Sequence, residues 1–165
     1  MPINKYLIDL TDDEWALCVE CAKQRKFNLT QNQTSIDRAA APNDPTKDLQ
    51  GVVTECAVSK YLGVPYRYQT VYEKNWCDIS IGVEVRSSLH QNGHLIVYTY
   101  DKIAPYVMTI PDLNKRQILL VGWRDLLDCQ IEKYWRTAPK VRKESWWIPQ
   151  TDLHDMKSLK NKLAA

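Results

Sequence analysis

The residues best placed to do chemistry lie in one short stretch, Cys77-Asp78-Ile79-Ser80-Ile81-Gly82-Val83-Glu84-Val85-Arg86. A three-residue hairpin loop over Ser80-Ile81-Gly82, with Gly82 in the positive-φ position such loops require, sets Ile79 opposite Val83 and Asp78 opposite Glu84. Opposed cross-strand Cβ atoms lie about 4.5–5.5 Å apart, so two carboxylates there repel unless a cation joins them. A divalent ion such as Mg²⁺ suits the pair, because hard cations bind through one or two carboxylates plus phosphate oxygens. Side chains alternate along a strand, so Glu84 and Arg86 share a face. The guanidinium can neutralise charge on a phosphate there without exchanging a proton. The plainer reading is an exposed Glu84–Arg86 ion pair worth at most about 1 kcal/mol.

Other residue types give weaker signals. His94 at a strand start and His90 before it suit a base or a phosphate contact, and a surface position equally. Gln50 and Lys102 have the same two readings, backbone contact or solvated loop. Ser87 and Ser88 lack a His and Asp in any triad order, and the chain carries no glycine-rich phosphate loop. Cys18-Val19-Glu20-Cys21 has the spacing of half a zinc site, but Cys56, Cys77 and Cys129 are isolated, so buried helix thiols are the simpler reading.

The elements that must position these residues follow from periodicity. Thr11-Asp12-Asp13-Glu14 forms a capping box that opens a helix over about 12–26. From about 28 to 48 the chain is polar, aperiodic and interrupted by Pro42 and Pro45, which predicts a long loop. A second helix over about 49–62 carries Leu49, Val52, Val53, Cys56 and Ala57 on one stripe, with Glu55 at its edge, and stops at Gly63 and Pro65. The period then changes to two, which predicts strands at Trp76–Ser80, Val83–Ser88, Leu95–Tyr100, Tyr106–Ile110 and Gln117–Trp123 as an antiparallel block. A helical stretch over about Trp123–Tyr134 and a last helix capped by Thr151 complete the chain. The order predicts an α/β domain of α+β character, with a core over about 49–165.

With 165 residues against a typical domain of roughly 150, one domain over 1–165 is expected. Charged residues make up 25% and apolar ones 44%, which excludes disordered and collagen-like chains. The longest apolar runs fall far short of the roughly 20 residues a membrane span needs, so no membrane partner is expected. No secretory signal is readable, and five cysteines is an odd number, so a reducing cytoplasm is expected and disulfides are not. The net charge of +2 is divided unevenly, with residues 1–50 at net −2 and residues 51–165 at net +4. Lys133, Arg136, Lys140, Arg142 and Lys143 cluster beside Tyr134, Trp135, Trp146 and Trp147. Such a mixture meets phosphates with charge and bases with rings, or solvates one face and fills a core with the other.

The string Gly51-x-x-x-Glu55-x-Ala57, Leu62-Gly63, Asp78, Glu84-Val85-Arg86, Leu95-Ile96-Val97 and Asp101 resembles the core of the PD-(D/E)xK nuclease superfamily, particularly its small phage-type members, over about residues 49–123. The resemblance implies a restriction-endonuclease-like core, a central mixed sheet flanked by helices in the order α-β-β-β-α-β. It implies that Glu55, Asp78 and Glu84 hold Mg²⁺, with Mn²⁺ as a substitute, and that Arg86 stands at the basic position. Arginine replaces the usual lysine there, and no proline precedes Asp78. With a pKa above 12, Arg86 can act only by charge and orientation. The implied protein is a metal-dependent deoxyribonuclease of endonuclease type, hydrolysing DNA phosphodiesters with a metal-activated water. It would work in a bacterial host cytoplasm if phage-encoded, and a homodimer or higher oligomer would let one site per chain cut both strands. Two alternatives come from other classes: a non-catalytic nucleic-acid-binding protein that retains the nuclease core, and a protein adaptor using its tryptophans.

Overall fold

A computed structural model describes residues 3–32, 45–71, 73 and 75–165. The capping box forms as expected, with Glu14 N–H donating to Thr11 Oγ1 (3.1 Å) and Thr11 N–H to Glu14 Oε1 (2.9 Å). Helix α1 spans Asp12–Asn32 and so runs past the expected end near Lys26. Its polar last turns are held by long-range bonds that propensity does not report. Arg25 Nε donates to the Gln69 carbonyl (2.6 Å) and Asn28 Nδ2 to that of Thr70 (2.9 Å).

Helix α2 spans Pro45–Leu62, starting at a proline whose fixed φ suits a first helical turn, within the segment expected to be loop. The rest of the expected loop, 33–44, lies outside the described residues. The helix stops as its sequence predicts. Gly63 takes φ +73°, and Gly63 N–H reaches the Lys60 carbonyl while Val64 N–H reaches that of Ser59.

Four strands form a mixed sheet in the order β1 (Tyr6–Asp9), β5 (Gln117–Asp125), β4 (Pro105–Asp112), β2 (Glu84–Ser87). Three more, β3 (Leu95–Val97), β7 (Ser145–Ile148) and β6 (Trp135–Arg136), form a separate antiparallel sheet. The expected antiparallel block is therefore corrected. The chain leaves β2 to build β3 into the second sheet, then returns so that β4 pairs with β2 in parallel, Glu84 opposite Tyr106 and Arg86 opposite Met108. Residues Trp76–Ser80 contribute only the isolated Ile79–Val83 bridge.

Two cores result. Val85, Val107, Ile118 and Leu120 pack one face of the mixed sheet against apolar residues of α1, α2 and the last helix. Tyr106, Met108, Ile110 and Val121 pack the other face against Leu95 and Val97 of β3 and Ile148 of β7, with the short helix α3 (Leu126–Cys129) joining them. Longer helices thus cover one face and a second sheet the other. The helix expected over about Trp123–Tyr134 shrinks to α3 and a single 3-10 turn, because β5 continues to Asp125. The last helix, α4 (Met156–Ala164), is capped by Asp155, which accepts from Lys157 N–H (2.8 Å), and not by Thr151, which lies in a preceding 3-10 turn. Among the described residues no helix is long and apolar enough to cross a membrane.

Candidate metal and nucleic-acid site

The hairpin that carries Asp78 and Glu84 closes as its sequence predicts. Ile79 N–H donates to the Val83 carbonyl (2.9 Å), Gly82 N–H donates to that of Ile79 (2.9 Å), and Gly82 takes φ +90°. At that φ a Cβ would be strained, so glycine is what the loop requires. Asp78 Oδ2 accepts from Val85 N–H (2.9 Å), which fixes its carboxylate beside the start of β2.

Asp78 and Glu84 come together. The Asp78 pKa is pushed up from 3.8 to about 7, first by burial and then by hydrogen bonding with Glu84 and by its charge. Glu84 is 5% exposed, and its Oε1 lies 3.2 Å from Lys102 Nζ. Lys102 also donates to the Trp76 carbonyl.

Two residues along the same face, Arg86 places one terminal guanidinium nitrogen 2.7 Å from Asp101 Oδ1. Asp101 is itself held by Tyr98 N–H on Oδ2 (2.7 Å), and the guanidinium lies 5.1 Å from the Tyr106 ring centroid. Arg86 Nε is buried and has no hydrogen-bond partner among the described residues.

Glu55 stands apart from this pair. It is carried by α2, on the helix side of the sheet, is 5% exposed, and is clasped by Arg25 from α1 at 2.9 and 3.4 Å. Tyr66 Oη donates to the same carboxylate at 2.5 Å. Its pKa is raised all the same, because burial and the charge of Asp78 outweigh the help of Arg25. Asp78 is therefore the electrostatic link between Glu55 and the hairpin. Among the described residues no group of three His, Cys, Asp or Glu side chains gathers into a metal cluster. The candidate ion site is the Asp78–Glu84 pair, with Glu55 behind it already neutralised by an arginine.

Three participants were not assigned these partners from the sequence. Arg25 continues the Cys18, Cys21, Ala22 stripe at helical spacing, so a cation on an apolar face was the available signal. Tyr66 and Lys102 gave no such signal, since both lie in irregular segments and their partners are distant in sequence. Among the described residues the Cys18–Cys21 pair joins no group of metal-ligating side chains. All five thiols are free, and four of them, Cys18, Cys21, Cys56 and Cys129, are buried.

The basic residues expected to meet nucleic acid lie on β6, beside it, and on the connection to β7. Lys133, Lys140, Arg142 and Lys143 are exposed and Arg136 is half-buried. Lys133 leans on Asp152 at 3.4 Å and Arg136 on the carbonyls of Lys133 and Trp135. Lys143 donates to Tyr100 Oη (3.0 Å) and lies 4.2 Å from that ring's centroid. Trp135 and Trp146 pack together across the β6–β7 pair, centroids 4.5 Å apart. Comparison with family models, curated proteins and solved structures finds no match to this chain.

Proposed function

We propose that the protein is a Mg²⁺-dependent nuclease acting on DNA, of the PD-(D/E)xK kind and with its restriction-endonuclease-like core. The observation that carries the reading is that two carboxylates, Asp78 and Glu84, flank the Ile79–Val83 bridge at the mouth of a glycine hairpin and interact, with cationic Lys102 and Arg86 beside them. The donor set fits magnesium: two adjacent carboxylates, one buried, are the protein share of an ion that otherwise takes phosphate and water oxygens. Asp78 and Glu84 would hold the ion, with Mn²⁺ as a substitute, while Glu55 stays with Arg25 and Tyr66 and adds negative charge near Asp78. When bound, the ion supplies a Lewis acid and a water acidic enough to act as nucleophile.

The chain's own residues do the rest. Val85 N–H fixes the Asp78 carboxylate, and Lys102 Nζ balances the charge of Glu84, for which it would compete with a bound cation. Arg86 is oriented by Asp101 and Tyr106, so it presents charge to a phosphate while remaining protonated. The basic residues Lys133, Arg136, Lys140, Arg142 and Lys143 bind the flanking strand, and a homo-oligomer brings two sites to a duplex. Purified protein incubated with single- and double-stranded DNA and Mg²⁺, beside Glu84→Ala, is the test. Cleavage lost with Glu84→Ala and with chelator supports the reading, and cleavage that survives both removes this site.

A second reading is favoured by one observation: Glu55 and Arg86 are already paired, with Arg25 and Asp101. On that reading the chain binds nucleic acid without cutting it. Salt-dependent retention of DNA with no cleavage in Mg²⁺ or Mn²⁺ would decide for it.

A further inference from the structure

A second site adjoins the carboxylate pair. Beside Arg86, lined by residues of both sheets and of the loop that joins β2 to β3, lies a pocket of about 380 Å³. Its apolar lining includes Met108 of the mixed sheet and Ile96 of β3. Trp147 of β7 forms one wall, with His94 packed on it at 5.7 Å between ring centroids. Tyr98 forms another, its ring stacked on Tyr100 at 5.4 Å and 2°, with Lys143 Nζ 5.5 Å from its centroid. Arg86 and His90 stand on its polar side, and no Asp or Glu is among the described residues lining it.

The rim is built rather than loose. Gly93 N–H closes a turn on the His90 carbonyl (2.9 Å), and Gln150 Nε2 donates to the carbonyls of Gln91 (2.8 Å) and Gly93 (3.0 Å). The loop is so tight that a Cβ on Gly93 would lie 2.2 Å from Ser88 Oγ. These bonds pre-form the pocket, which lowers the ordering cost of filling it.

We infer that this pocket receives one unstacked nucleotide of a single-stranded DNA segment, its base between Trp147 and Tyr98 and its phosphate toward Arg86. Aromatic walls take the face of any base, and imidazole, hydroxyl and guanidinium groups at the rim suit the sugar and phosphate. The volume is at the small end of the about 300–1,000 Å³ typical of ligand pockets, enough for one nucleotide and too little for a base pair. A duplex must therefore splay a base out, or present an end, to use it. The inference deepens the nuclease reading and rests on it for direction, because Arg86 belongs to both the pocket and the carboxylate site.

The experiment measures binding of a fluorescein-labelled oligo-dT, of a blunt duplex and of dTMP at low salt with chelator present, so that no cleavage occurs. Trp147→Ala, Trp147→Phe, His94→Ala and Glu84→Ala are compared with the parent, each with its melting temperature, and cleavage is scored separately with Mg²⁺. Expected is single-strand affinity at least about tenfold above duplex, lost about tenfold or more in Trp147→Ala, restored by Trp147→Phe and weakened in His94→Ala. Should Trp147→Ala not fold, His94→Ala and competition by dTMP carry the test. Parent-like binding by both His94→Ala and Trp147→Ala, or equal affinity for blunt duplex, overturns the pocket while leaving Glu84-dependent cleavage intact. Trp147-dependent binding by a protein that cleaves nothing upholds the pocket and overturns the nuclease reading.

Discussion

Replacing Asp78 by asparagine should make the metal-free protein more stable at pH 8 and leave it nearly unchanged at pH 4. Burial and Glu84 raise the Asp78 pKa from 3.8 to about 7 in the folded chain, whereas the unfolded chain titrates near the ordinary value. A group whose folded pKa is raised favours the fold when protonated. Its contribution is complete below about pH 4 and is lost as pH rises through about 7. At 1.36 kcal/mol per pKa unit the ceiling is about 4 kcal/mol. Asp78 is only partly buried and Lys102 stands beside Glu84, so about 1–2 kcal/mol is expected after solvent screening. In Asp78→Asn the side-chain amide oxygen can still accept from Val85 N–H, so the hairpin is kept. Denaturant unfolding of both proteins between pH 4 and 8 measures the difference. Added Mg²⁺ should reverse the order, since a ligand at 100 times its dissociation constant contributes about 2.7 kcal/mol to the parent alone. A difference that does not change with pH, or an asparagine variant less stable at pH 8, refutes the idea that two carboxylates strain this hairpin.

Other perturbations separate the parts of the site. Arg25→Ala leaves Glu55 buried without its arginine and should cost about 3–5 kcal/mol of stability, read by chemical denaturation. Gly82→Ala forces a side chain into φ +90° and should cost about 1–3 kcal/mol while weakening the Mg²⁺-induced rise in melting temperature. Lys102→Met frees Glu84 and should tighten Mn²⁺ binding by calorimetry; unchanged affinity would show that the lysine does not compete with the ion. Removing Lys140, Arg142 and Lys143 together should lower the slope of log affinity against log salt by about 2 for single-stranded DNA, at about 0.7 per phosphate contact.

The hairpin was legible because a three-residue loop ending in glycine leaves little choice of register, and the two acids then follow by alternation. Helix α2 was legible for a similar reason: its apolar stripe is long and Gly63 ends it. The parallel pairing of β2 with β4 was not, since it depends on β3 leaving for another sheet, a choice made by packing between distant segments. Strand β1 is too short to show its alternation. Strand β7 was hidden because Trp146 and Trp147 read equally as nucleic-acid contacts and as strand residues, and they serve the strand while Trp147 also lines the pocket. Within the site, Asp78, Glu84 and Arg86 were found by local spacing. Arg25, Tyr66 and Lys102 each act across many residues of chain, and only the folded molecule brings them to their carboxylates.

Gln150 ties the loop after β2 to the segment that follows β7. The four-stranded layer owns the acids and the three-stranded layer owns the tryptophan wall, and this amide is one of the ties across the seam between them, beside Arg124 of β5 on the Asp152 carbonyl. Selectivity among strands can then drift through changes in the outer layer, with the acidic hairpin left untouched. Cutting the seam with Gln150→Ala should loosen recognition before it harms the fold.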